Sequence, residues 1–253
     1  MKTLADIRTH LDQTLRIAEL PDYGNALNGL QLQNRTGTVS RVVAAVDSTL
    51  PVVKKAIAEG ADLLLVHHGM FWTGLQPWTG ATFERLNLAL ENNLAIYSAH
   101  LPLDAHPQLG NNACIARAMQ LTPCGGFLDY KGLAGGVTCE AALALDEVVA
   151  RFTQALDGGR VHVCAGGPKT TRKIGISSGG SGSEIAAAAK AGVDTFITGE
   201  GPHWSYTLAE ELGINVLYGG HYATETFGVK ALAEHLQSQF GLPWSFVDHP
   251  TGL

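Results

Sequence analysis

Apolar and polar residues follow two rhythms along this chain. Near the N-terminus Leu4, Ile7, Leu11, Leu15 and Ala18 recur at helical spacing, which predicts an amphipathic helix over 2–19. A turn-rich stretch follows, Pro21-Asp-Tyr-Gly-Asn-Ala-Leu-Asn-Gly-Leu30. The period then changes. Arg41–Val46 reads as a strand, and Asp47-Ser48-Thr49 offers caps for a helix with Pro51 in its first turn that runs to Glu59 and stops at Gly60. Ala61–Val66 is almost wholly apolar, as expected of a strand covered on both faces. Residues 82–92 read as a helix and 94–98 as a strand, so this half reads β-α-β-α-β, the rhythm of a mostly parallel sheet.

The rhythm returns later in the chain. Residues 173–178 resemble 41–46, 184–191 resemble 52–59, 191–198 resemble 59–66, and 212–218 resemble 92–97. In that alignment His67-His68 falls opposite Gly199-Glu200, and His100-Leu-Pro-Leu-Asp104 falls opposite His221-Tyr-Ala-Thr-Glu225. Each half thus places a histidine four residues before a carboxylate, just past a strand. The repeat predicts an α/β fold of two pseudo-symmetric lobes with mostly parallel sheets around a central cleft, where strand C-termini converge and ligands bind. The first lobe is expected over 1–124 and the second over 125–253. The second is expected to hold an elaboration at 125–170 with one helix near 146–156, the repeat at 171–235, and a tail that packs back on the first lobe.

Composition narrows the function. The 253 residues are 45% hydrophobic and 16% charged, with a formal charge of −6. That balance suits a soluble globular protein and argues against a basic nucleic-acid surface. No window has the length of apolar chain that a membrane span needs, and the N-terminus lacks a signal-peptide core. Cys114, Cys124, Cys139 and Cys164 form no Cys-x-x-Cys pair, which argues against a disulfide framework or a thiolate zinc site and fits a cytoplasmic protein.

The chemistry gathers on histidines and acids. Leu63-Leu-Leu-Val-His-His-Gly-Met-Phe-Trp72 ends an aliphatic strand in two imidazoles. With His100, Asp104, His221 and Glu225 they make a set of neutral nitrogen and carboxylate donors that suits borderline divalent ions, Zn, Fe, Mn, Co or Ni. Adjacent histidines on extended chain point opposite ways, so one can face each of two ions. Two ions together can activate a water and polarise an electrophile.

Six stretches together resemble the GTP cyclohydrolase 1 type 2 family, the Nif-three-like family: Asn28-Gly-Leu-Gln31, Asp62-Leu-Leu-Leu-Val-His-His-Gly69, Ser98-Ala-His-Leu-Pro-Leu-Asp104, Asn111-Asn112, Ile197-Thr-Gly-Glu200 and Gly220-His-Tyr-Ala-Thr-Glu225. The match runs over nearly the whole chain and is most similar to short bacterial members without the inserted domain. The resemblance implies a Nif-three-like fold, two divalent metal ions per subunit in a cleft between the lobes, and a toroidal homohexamer. It implies His67, His68, Asp104, His221 and Glu225 as ligands, with His100 near the substrate or the ligands and Glu200 orienting a ligand or water. His100 or Glu200 would shuttle a proton. The activity it implies is hydrolytic opening of the GTP ring with formate release. The alternatives are a metal-binding hexameric scaffold or storage protein, or a hydrolase of another phosphoester, amide or damaged nucleotide.

Weaker signals remain. Ser177-Ser-Gly-Gly-Ser-Gly-Ser-Glu184 reads as a tight turn with a Ser181-x-x-Glu184 capping box, or as a phosphate loop. Phe71, Trp72 and Trp78 read as packing residues, with ring stacking the alternative. Asn28 and Gln31 read equally as substrate contacts or turn residues. Lys131 and Arg160 read as solvated surface, with an anion-facing role the alternative.

Overall fold

A computed structural model describes all residues, 1–253, and divides them into two compact units. The first comprises Met1–Leu103 and Gly228–His249, and the second Asp104–Phe227 and Pro250–Leu253. In chain order the first unit opens with β1 (Lys2–Thr3), α1 (Leu4–Thr14), β2 (Gly29–Leu32), β3 (Thr38–Val39), β4 (Val42–Asp47), α2 (Leu50–Ala58), β5 (Leu63–His68), α3 (Gly80–Glu91) and β6 (Ala95–Ser98). There follow α4 (Leu101–Asp104), α5 (Asn111–Ala118), β7 (Pro123–Tyr130), β8 (Leu133–Ala144), α6 (Leu145–Ala155), β9 (His162–Ala165), β10 (Thr170–Ile176), α7 (Ile185–Lys190), β11 (Thr195–Thr198), α8 (His203–Leu212), β12 (Asn215–Tyr218), α9 (His221–Phe240) and β13 (Trp244–Phe246). No helix is long and apolar enough to cross a membrane.

The first unit is built on a five-stranded sheet in the order β13-β4-β5-β6-β2. Its four inner and C-terminal strands run parallel, and β2 joins β6 antiparallel at the edge. The C-terminal β13 lies beside β4, with Trp244 opposite Val42. The aliphatic run Leu63–Val66 is buried, as its unbroken apolarity predicts. The strand does not end there. It continues through His67 and His68, because Asp47 at the end of β4 stays in register opposite His68. The first helix is shorter than its periodicity suggests. Thr3 caps it by accepting from the Asp6 N–H, and Arg16 turns left-handed (φ +52°), which breaks the helical path before Ala18.

The second unit holds a six-stranded sheet, β7-β8-β10-β11-β12-β9. Its core, β10-β11-β12, is parallel, while β7, β8 and β9 add antiparallel strands around it. The stretch at 125–170 is therefore mostly sheet, with α6 the one helix within it. The sequence repeat maps onto β4-α2-β5-α3-β6 and β10-α7-β11-α8-β12.

One pair of residues shows why the repeat is chemical as well as periodic. Asp62 accepts from the Ser40 and Arg41 N–H groups, and its own N–H donates to Arg41 O. Asp194 accepts from the Arg172 and Lys173 N–H groups, and its own N–H donates to Lys173 O. In each unit one carboxylate, just before a central strand, satisfies N–H groups of the neighbouring chain, just ahead of β4 in the first unit and at the irregularity inside β10 in the second. Asp194→Ala should leave those donors and the buried Thr171 hydroxyl without their acceptor. We expect a loss of about 1–3 kcal/mol in urea unfolding, and Asp62→Ala should behave alike.

Candidate metal centre

In the first unit three imidazoles meet at the ends of β5 and β6. His67 Nδ1 lies 2.8 Å from Ala99 O, and a carbonyl can only accept, so the ring donates Nδ1–H. His68 Nδ1 lies 2.9 Å from Asp47 Oδ1, and His100 Nδ1 lies 2.9 Å from Asp22 Oδ1. Each neutral ring is thereby held in the tautomer whose lone pair is on Nε2, as metal-binding histidines are. One nitrogen of each of the three rings falls within 4.8 Å of the others. The adjacent pair does not diverge as an ideal strand would have it. The rings of His67 and His68 are 4.9 Å apart, because their acceptors, a carbonyl after β6 and a carboxylate on β4, turn them together.

The network around His100 explains Asn28. Its side chain donates to Asp22 Oδ2 (2.7 Å) and accepts the His100 N–H (2.7 Å). Asp22 Oδ2 also accepts the Leu101 N–H. Burial alone would raise the Asp22 carboxyl, but the bonds from His100, Asn28 and Tyr23 win and hold it below its ordinary value. Gln31 pins the loop after the double histidine. It accepts from the Met70 N–H and donates to Ala26 O and Leu27 O. Gly69 packs directly on that amide, where a Cβ would collide with it. Trp72 stacks on His68 at 4.5 Å between centroids and leans on His100 at 4.4 Å, so of the three flanking aromatics it belongs to the site. Phe71 packs on the core and Trp78 is exposed.

In the second unit the first turns of α9 carry His221 and Glu225 on one face, one helical turn apart. His221 Nε2 lies 3.1 Å from Glu225 Oε1, and Nδ1 lies 2.8 Å from Glu200 Oε1. Burial would lower the imidazole, but the two carboxylates overcome it and raise it to about 9. Asp104 is buried and accepts from Asn111 Nδ2 (2.7 Å) and Ser178 Oγ (3.3 Å). Asn112 accepts the Ser178 N–H, and Thr224 accepts the Gly179 N–H. Gly179 adopts φ +64°, and a Cβ there would strike the Glu225 carboxylate, so only glycine lets the loop pass. The loop does not form the Ser-x-x-Glu box. Ser181–Glu184 is itself a turn of 3-10 helix, and Ser181 Oγ bonds Ser177 Oγ. Several of its N–H groups are already consumed within the fold, which counts against a phosphate cradle.

The structure thus groups His67, His68 and His100 in one unit, and His221, Glu225 and Glu200 in the other, with Asp104 held beside Ser178. Sequence reading missed the two orienting acids. Asp47 was signalled by its place at the end of β4, next to the strand that carries the histidines. Asp22 lay in a turn-rich stretch with no such cue.

Parallel α/β sheets whose strand ends carry tethered histidines and buried acids define a protein with the donor chemistry of a divalent-metal site. The chain belongs to the Duf34/NIF3 (NGG1p interacting factor 3) family, whose model matches residues 2–251. It is 44% identical over 245 residues to a Deinococcus radiodurans protein named GTP cyclohydrolase 1 type 2 homolog, covering 96% of this chain and 92% of that one. An Archaeoglobus fulgidus protein of the same name is 39% identical over 99% of both chains. Among solved structures, TTHA1606 of Thermus thermophilus superposes with a TM-score of 0.89 at 40% identity, over 99% of this chain and all of that one. Reduced HcgD of Methanocaldococcus jannaschii gives 0.84 at 27% identity, over 98% of each.

Asp22→Asn should weaken the bonds to His100 Nδ1 and the Leu101 N–H without emptying the space. We expect it to cost about 1–3 kcal/mol of stability, read from the urea midpoint. An unchanged midpoint would show that the carboxylate does not anchor His100.

Proposed function

We propose that this chain is a dinuclear metal-dependent hydrolase of the GTP cyclohydrolase type. Two divalent cations, of Zn, Fe, Mn, Co or Ni, would be held by His67, His68, Asp104, His221 and Glu225. The observation that carries the reading is the triple tether: His67, His68 and His100 each commit Nδ1–H to a fixed acceptor and bring ring nitrogens within 4.8 Å of one another. A cluster of imidazoles packed for stability alone has no need of that common tautomer. The His221–Glu225 pair supports it with a nitrogen and a carboxylate oxygen on one helical face.

When bound, such cations lower the pKa of water toward neutrality and polarise the electrophile. The chain's own groups do the rest. Asp47 and the Ala99 carbonyl aim His68 and His67, and Glu200 aims His221. His100 Nε2 takes and returns the proton, with the Asp22 carboxylate stabilising the charged ring. The electrophile is C8 of the guanine ring, whose hydrolysis opens the ring and releases formate; the names of the relatives support that substrate.

The assembly that goes with this reading is a homohexamer in a ring. Leu75, Trp78 and Phe83 lie exposed in and after the loop that follows β5, and such apolar surface favours self-association. Light scattering should give six chains for the wild type, and Trp78→Glu should shift the protein to smaller species.

The decisive experiment pairs elemental analysis of freshly purified protein with formate detection after incubation with GTP. His68→Ala and Glu225→Gln should each lower bound metal at least about tenfold and abolish formate release. Full metal content in both variants would refute the ligand assignment. Bound metal in the wild type with no turnover of GTP would instead favour the storage role.

A further inference from the structure

Arg85, on α3, is half-buried and forms no ion pair. Glu84 beside it turns to Lys54 at 2.7 Å. The guanidinium reaches two backbone carbonyls instead. Nη1 donates to Ser48 O and Nη2 to Met70 O, each at 3.0 Å. Its Nε is buried and meets no acceptor. Taking a cation partly out of water with no counter-ion is unfavourable, and burial pulls this guanidinium below its ordinary pKa. An apolar side chain would avoid that penalty, so the two carbonyls mark what the charge is for.

Both carbonyls lie where the site's strands end. Ser48 directly follows Asp47, and Met70 stands two residues past His68. Asp47 and His68 are the last pair of the β4–β5 ladder. Beyond them the chains part, β4 into α2 and β5 into the loop that leads to α3. The Ser48 N–H still donates to His68 O at 3.1 Å. Ser48 and Met70 are themselves buried, so water does not take up their carbonyls. Arg85 thus fastens the two chain exits to each other just where sheet pairing stops. A planar fork reaches two acceptors at a fixed spacing, whereas an ammonium is a single point. The tethers of His67 and His100 run elsewhere, to Ala99 O and to Asp22.

We infer that Arg85 is a positioning residue for His68. It clamps the ends of β4 and β5 so that Asp47 Oδ1 keeps its 2.9 Å hold on His68 Nδ1. The direction of the His68 Nε2 lone pair then depends on a residue of α3 that touches neither the imidazole nor its carboxylate. The consequence for metal affinity rests on the ligand role proposed above for His68, but the clamp itself does not.

The test follows the Nδ1-bound imidazole protons by NMR in metal-free, full-length protein, with His68→Ala assigning the His68 signal. In Arg85→Met the His68 Nδ1–H should exchange with water about tenfold faster or more, as expected when a bond of this kind is loosened. The His100 Nδ1–H, held by Asp22, should keep its wild-type rate. Arg85→Lys keeps the charge but not the fork, and should resemble Arg85→Met. It also serves if the methionine variant does not fold. An unchanged His68 rate would overturn the inference. So would equal acceleration at His68 and His100, which is general loosening, or a full return to the wild-type rate in Arg85→Lys, which would make charge and not the fork the cause. Zinc titration against a competing chelator then reads the consequence. The dissociation constant should rise about tenfold in both variants, and equal affinities would overturn that step. A wild type that binds no zinc would defeat the metal reading and leave the exchange rates to judge Arg85.

Discussion

An imidazole holds its Nε2 lone pair in a fixed direction only when its Nδ1–H is tied down, and the first unit ties down three in this way. The tethers are built from the sheet itself. Asp47 ends the strand next to β5 and stands in register with His68, so the pairing of two strands sets the ring's angle. Ala99, just past β6, does the same for His67 through its carbonyl. The sheet therefore does more than fill a core. Its parallel register delivers acceptors to the places where histidines leave the strands.

The second unit solves a related problem with a helix. His221 and Glu225 stand one turn apart at the start of α9, and Glu200 after β11 grips the far side of the imidazole. Two carboxylates around one ring keep it charged against the pull of burial. Such a ring holds a proton where a cation would place its own charge, which is the electrostatic sense of the proposed ligand pair. The surrounding loop is organised to leave this arrangement undisturbed, with Gly179 the one residue type that passes Glu225 without collision.

Duplication explains much of the order. Asp62 and Asp194 do the same work in the two units, each accepting two backbone N–H groups, from just ahead of β4 and from within β10. The two units differ in what surrounds that shared core. One adds β2 and the C-terminal β13, and the other adds β7, β8 and β9, which turn a parallel sheet into a mixed one. A shared parallel core tolerates such additions because edge strands need only unpaired backbone groups to join.

Periodicity and motif were enough to read most strands and helices of both repeats, α8 excepted, and the double histidine and the family, because those rest on short-range patterns of apolar spacing and on residue types at fixed intervals. The same patterns overran at α1, where a left-handed Arg16 ended the helix, and stopped β5 two residues early, because cross-strand pairing outweighs the loss of apolar character. The role of Asp22 became visible only in three dimensions, as did the partner of Asp47 and the rings on which Trp72 stacks. Asp22 and Asp47 act on residues 21 or more positions away, and Trp72 joins nearby His68 to distant His100 through a loop that Gln31 holds in place. Contacts of that span depend on which strand lies beside which, and a linear pattern does not encode that choice.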